Sequence, residues 1–201
     1  MRLWLVRHGE TEWNRQARYQ GHSDVPLNEE GMRQALKVAE RLASEPVEAV
    51  YSSDLSRARV TAEIIAARHG APLYVREVLR ESNYGQWEGM SFKEIRERFP
   101  GSIERWLDDP EGSRPPGGES LGEVRTRALA AIKEIQARHP EDTVVVVTHG
   151  GVIAMLLMTY LGEDSSFLRR FFGKNASVSL IELEGDRAEV VCWSDASHLE
   201  E

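Results

Sequence analysis

The chain has 201 residues, with 25 Lys and Arg against 33 Asp and Glu, for a formal net charge of -8. That length suits one domain with a substantial core, and the negative balance excludes a nucleic-acid partner held by bulk phosphate attraction, so any bound anion must meet locally clustered bases. Cys192 is the single cysteine, which rules out an internal disulfide and argues against a thiolate metal cage. It reads as a small buried apolar residue. No apolar run reaches the roughly 18 residues of a membrane span, and the opening "MRLWLVRHG" is too short and polar for a signal peptide. A cytoplasmic protein with no membrane partner is expected.

In chain order, "RLWLV" (2–6) is the first strand candidate. Leu27, Met32, Ala35, Leu36, Ala39 and Leu42 follow at near-helical spacing, with Asn28 placed as the cap. "VEAVYSS" (47–53) reads as a second strand, and 56–70 as a helix stopped by Gly70 before Pro72. Residues 79–119 break the rhythm. They hold "YGQWEGM", a short capped helix in "SFKEIRERF" and the Pro- and Gly-rich "DDPEGSRPPGGES", the pattern of a lid or binding loop. Trp87 and Trp106 within this insert are core candidates, or aromatics shaping a pocket. A helix begins at Ser120, where Ser120 and Glu123 form a capping box. "TVVVVTHGG" (143–151) is the strongest buried-strand signal, and "VIAMLLMTYL" after it is apolar enough to be buried. "SVSLIEL" and "AEVVCWS" around "EGDR" read as a hairpin. Strands alternating with helices predict an α/β fold: a three-layer α/β/α sandwich with a mainly parallel central sheet, forming a single domain over 1–201 with a small helical or loop lid at 79–119.

Two histidines stand out by position. His8 follows "WLV" and His149 follows "VVVVT", each ahead of a glycine at the carboxyl end of a core strand, where open α/β sheets bind their ligands. An isolated strand-end histidine is usually a hydrogen-bonded structural residue. Two of them, each before a glycine and the first beside Arg7, are harder to assign to coincidence. A metal site would need a third ligand and would tolerate Arg7 poorly, and no HExxH spacing is present. Guanidinium with imidazole suits a phosphate dianion instead.

"VRHGETEWN" (6–14), "YSSDLSRARVTAEI" (51–64), "LRESNYGQWEG" (79–89), "PPGGESL" (115–121) and "VVVVTHGG" (144–151) together resemble the histidine phosphatase superfamily, the phosphoglycerate-mutase-like group. The resemblance covers most of the chain with the motifs in order. It implies that His8 is the nucleophile that becomes a phosphohistidine. Arg7, Arg57 and His149 would surround the phosphoryl oxygens, Asn14 would add an amide donor, and Gly150 would sit against the substrate. Glu81 would protonate the leaving alkoxide and then activate water, which calls for a carboxyl kept protonated by partial burial or a neighbouring bound phosphate. Glu88 and Glu10 would be structural or orienting groups. His22, His69, His139 and His198 read as surface or locally bonded residues. No metal and no cofactor is implied.

Cofactor-dependent mutases of this family carry an Arg-His pair directly after the general acid. Here Glu81 is followed by Ser82 and Asn83, so the expected activity is that of a phosphomonoesterase on a small phosphorylated metabolite. The resemblance is to the small bacterial members, which include broad-specificity, α-ribazole and phosphoserine phosphatases. A phosphoglycerate mutase and a non-catalytic phosphate-binding regulatory module are the alternatives. Arg80 and Arg114 are candidates for an acidic group on the substrate, and a homodimer is left open.

Overall fold

In the computed structural model, which describes residues 1–164 and 171–200, six strands form one sheet in the order β3-β2-β4-β1-β5-β6. The strands are β1 (Arg2–Arg7), β2 (Val47–Ser52), β3 (Leu73–Val75), β4 (Thr143–Thr148), β5 (Val178–Glu184) and β6 (Arg187–Asp195). The pairs β1 with β4, β4 with β2 and β2 with β3 are parallel, while β5 and β6 add antiparallel to the β1 side. The mainly parallel α/β expectation therefore holds, with a mixed edge made by the C-terminal hairpin.

Side chains alternate cleanly across the sheet. Leu3, Leu5, Tyr51, Val144, Val146 and Ile181 pack into one buried cluster, and Trp4, Val6, Val50, Val145, Val147 and Val178 into the other. The second layer is closed by α2 (Glu29–Arg41) and α3 (Ser56–His69), which supply Val38, Ala39, Ala58, Ala62 and Ile65. The first is closed by α6 (Leu121–Arg138) and α7 (Gly150–Leu161). Helix α7 buries nine residues because it is apolar nearly all round, as an interior helix must be. Asn28 caps α2 on Gly31, Ser120 and Glu123 form the capping box of α6, and Gly70 ends α3 at φ 64°.

Three elements are absent from the sequence-based expectation. A one-turn helix α1 (Glu12–Arg15) follows the first strand, β3 is a three-residue edge after Pro72, and α5 (Ser102–Asp108) joins the expected α4 (Phe92–Arg98) in the insert. None is long enough to carry a periodic signal. Residues 79–119 are tied to the core through Leu79, Tyr84, Trp87, Ile95, Ile103 and Trp106, all in the first cluster. Cys192 is only half-buried, because it lies on the edge strand β6. Among the described residues, no helix is long and apolar enough to cross a membrane.

Candidate active site

The parallel pairing of β1 with β4 puts Arg7 opposite Thr148, so the residues that follow, His8 and His149, leave the sheet side by side. Their rings lie 5.1 Å apart, centre to centre. The glycines after them serve different needs. A side chain at Gly9 would strike the backbone of Gly31 in α2, whereas one at Gly150 would crowd Phe172 and the Arg7 guanidinium.

His8 is buried, and its Nδ1 lies 2.7 Å from the carbonyl of Gly9. A carbonyl only accepts, so Nδ1 carries the proton and Nε2 keeps a free lone pair. Burial first, then the charges of Arg57 and Arg7, hold His8 well below the usual histidine range. His149 is held low in the same way, by burial and then by Arg57 and His8. It does not reach the cleft wall but stands behind His8.

The two arginines are fixed from behind. Arg57, wholly buried at the start of α3, donates from Nη1 to the Ser23 carbonyl (2.8 Å) and from Nη2 to that of Gly21 (2.7 Å). Burial lowers it to about 10, which leaves it charged at neutral pH. Arg7 donates to the Gly173 carbonyl. Nine buried side-chain nitrogens have no partner among the described residues, and four of them gather here: Arg7 Nε, Arg57 Nε and both ring nitrogens of His149. A neutral His149 carries one N–H, so three unsatisfied donors stand together where buried donors are ordinarily satisfied, which suits an oxygen-rich anion. Asn14 accepts at Oδ1 from Thr11 and Asn175, which leaves its amide nitrogen to offer to the cleft.

Glu81 sits opposite, nearly buried, with its carboxylate accepting from the Gly151 amide at 3.1 Å and from its own neighbour Ser82 at 2.8 Å. The Gly151 amide belongs to the first turn of α7, whose dipole favours negative charge there. Glu81, Arg7, His8, Asn14, Arg57 and Gly150 line one cleft of about 170 Å³. Of the seven residues singled out in sequence, six therefore share one surface and the seventh backs it. Glu81 is the one carboxyl among the described lining residues.

Other expectations sort differently. Glu88 accepts from the amides of His22 and Ser23 and from the Ser23 hydroxyl, and Glu10 accepts from Asn28, so both are structural. Arg80 is committed to Asp54 and Glu77, and Arg114 to Glu123; neither lines the cleft. Trp87 and Trp106 are core residues that stack edge to face. The aromatics on the cleft are Tyr19, Tyr84 and Phe172, which the sequence did not single out, along with Gln20 and Gly21. No spacing rule marks the segment 17–21, whose place is set by Gly21, at φ 54°, folding against Glu88. Among the described residues, no three His, Cys, Asp or Glu side chains gather as a metal ion would need.

The family model described as histidine phosphatase superfamily (branch 1) matches residues 3–196. The chain belongs to that superfamily. It is 36% identical over 201 residues to phosphoserine phosphatase 1 of Hydrogenobacter thermophilus, covering all of this chain and 95% of that one. It is 40% identical over 202 residues to a metal-independent phosphoserine phosphatase of Arabidopsis thaliana, covering 97% and 82%. Among solved structures it is similar to Bacillus stearothermophilus YhfR, with a TM-score of 0.93, 37% identity and 99% of each chain covered. This histidine phosphatase superfamily member thus shares its whole fold with that structure.

The buried imidazoles make a pH prediction. Below the ordinary histidine value of about 6.5, His8 and His149 of the unfolded chain take up protons while the folded ones do not, so stability must fall as pH drops. Each contributes up to about 1.4 kcal/mol per pH unit. Urea unfolding at pH 7, 6 and 5 should show a shallower acid loss in His8→Gln and in His149→Gln than in wild type. Identical slopes would overturn the assignment of two neutral buried rings.

Proposed function

We propose that the chain is a phosphomonoesterase of small phosphorylated metabolites that works through a phosphohistidine on His8, without a metal. The observation that carries this is the pair of unsatisfied buried guanidinium nitrogens on Arg7 and Arg57 beside an imidazole with a free Nε2. The two guanidinium charges of Arg7 and Arg57 match the two negative charges of a bound phosphate ester.

His8 Nε2 attacks phosphorus as the P–O bond to the leaving group breaks, and Glu81 passes its proton to the departing alkoxide. Pre-positioned cations stabilise the charge on the equatorial oxygens. Water then attacks the phosphohistidine, Glu81 takes its proton, and the N–P bond breaks to release phosphate and neutral His8. Imidazole is nucleophilic at neutral pH, so no metal is needed to make hydroxide. The similarity to two phosphoserine phosphatases supports a small phosphate ester as substrate. With Arg80 and Arg114 bound to carboxylates, neither side chain stands ready to hold the acid group of a phosphoglycerate.

The test is phosphate release from a panel of phosphomonoesters that includes phosphoserine, with interconversion of 3- and 2-phosphoglycerate followed in parallel. Release that survives EDTA is expected. Loss that metal restores would overturn the metal-free mechanism, and primer-dependent interconversion with little release would make the protein a mutase. Binding of phosphate esters without either reaction would make it a regulatory module.

A further inference from the structure

Glu81 belongs to no helix or strand: it lies between single turns at Glu77–Leu79 and Gly85–Trp87. A loop holds a side chain less exactly than a strand does, so its backbone needs an outside anchor. Arg127, in α6, supplies one. Its Nη1 donates to the Val78 carbonyl (2.7 Å), its Nη2 to the Glu81 carbonyl (3.0 Å) and its Nε to Glu119 Oε1 (3.0 Å). The second oxygen of Glu119 accepts from the Asn83 amide at 3.2 Å, and the Glu119 amide donates to the Asn83 carbonyl at 2.9 Å. From the far side, His22 Nε2 donates to the same Glu81 carbonyl at 3.0 Å.

One guanidinium thus grips the chain on both sides of Arg80, and its carboxylate partner grips the next turn. Neither Arg127 nor Glu119 lines the cleft. Both side chains are about a fifth exposed, and an ion pair of that kind adds little stability by itself. Its geometry is the more telling feature. Arginine's rigid fork can hold three acceptors at fixed angles, which a lysine ammonium cannot.

We propose that Arg127, braced by Glu119, is a positioning residue that sets where the Glu81 carboxyl stands relative to the leaving group. This rests on the reading of Glu81 as the general acid.

A misplacement of about 1 Å at a reacting group costs on the order of 10²-fold in rate. Arg127→Ala should therefore lower kcat/KM on an alkyl phosphate by about 10²-fold, while kcat/KM for p-nitrophenyl phosphate, which reports the first step and whose leaving group needs no proton, stays nearly unchanged. Arg127→Lys should fall between, and Arg127→Ala placed on Glu81→Gln should cost little more than Glu81→Gln alone. Equal losses of kcat/KM on both esters, or an undiminished loss in the Glu81→Gln background, would reduce Arg127 to a structural strap and overturn the proposal. Should Arg127→Ala fail to fold in a thermal melt, Arg127→Lys and Glu119→Gln carry the same leaving-group comparison. Selective loss in Glu81→Gln without it in the Arg127 variants overturns only the role of Arg127; no selectivity in Glu81→Gln overturns the reading of Glu81 itself.

Discussion

His8→Ala should lower kcat by at least about 10⁴-fold on every phosphate ester the wild type hydrolyses, the size of loss seen when a covalent nucleophile is removed. The reason is local. His8 is the one cleft-lining imidazole among the described residues, and its tautomer is locked by the Gly9 carbonyl so that Nε2 faces outward. His149 cannot replace it, because it is wholly buried behind the first ring. Acid quenching of wild type during turnover followed by mass analysis should find phosphate on the peptide containing His8. The quench must be brief, since an N–P bond is acid-labile. Retention of more than a small fraction of activity in His8→Ala would mean that water attacks the ester directly, and phosphate found elsewhere would move the nucleophile to another side chain.

Glu81→Gln should lower kcat/KM for alkyl phosphates by about 10²–10⁴-fold, the usual contribution of a general acid, and that for p-nitrophenyl phosphate far less. An alkoxide leaves badly without a proton, whereas nitrophenolate leaves readily as the anion. Glutamine keeps the shape of the side chain and an acceptor for the Gly151 amide, so the fold around α7 should be kept while the transferable proton is lost. With the aryl ester, dephosphorylation should then become the slow step, because Glu81 also activates the water. A burst of nitrophenol equal to the enzyme concentration, followed by a slow steady rate, would reveal it. Equal losses on both esters with no burst would remove Glu81 from proton transfer.

How much of this could be read in the chain depends on distance. Strands β1, β2 and β4 were legible because a run of apolar residues bounded by turn residues has few other solutions. The long helices were legible through their caps, with Asn28 and Ser120 bonding at the positions their spacing implies. His8, Arg7 and His149 were legible because they end such strands. Arg57 and Glu81 were not legible by spacing; only the family resemblance singled them out. Their contacts, to Gly21 and Ser23 in one case and to Gly151 in the other, span from 34 to 70 residues of chain.

The sequence by itself determined the layered α/β plan, the two strand-end histidines and the arginine beside the first, since all of these follow from local patterning. Only the tertiary structure decided that β1 and β4 are neighbours in parallel register, which is what brings the two rings to 5.1 Å. It also decided which charges are free. Arg80 and Arg114 look as available in sequence as Arg7 does, yet each is neutralised by a carboxylate, while Arg7 and Arg57 keep a buried nitrogen unpaired. Whether a charged group can meet a ligand depends on what else folds against it, and that is a property of packing rather than of sequence position.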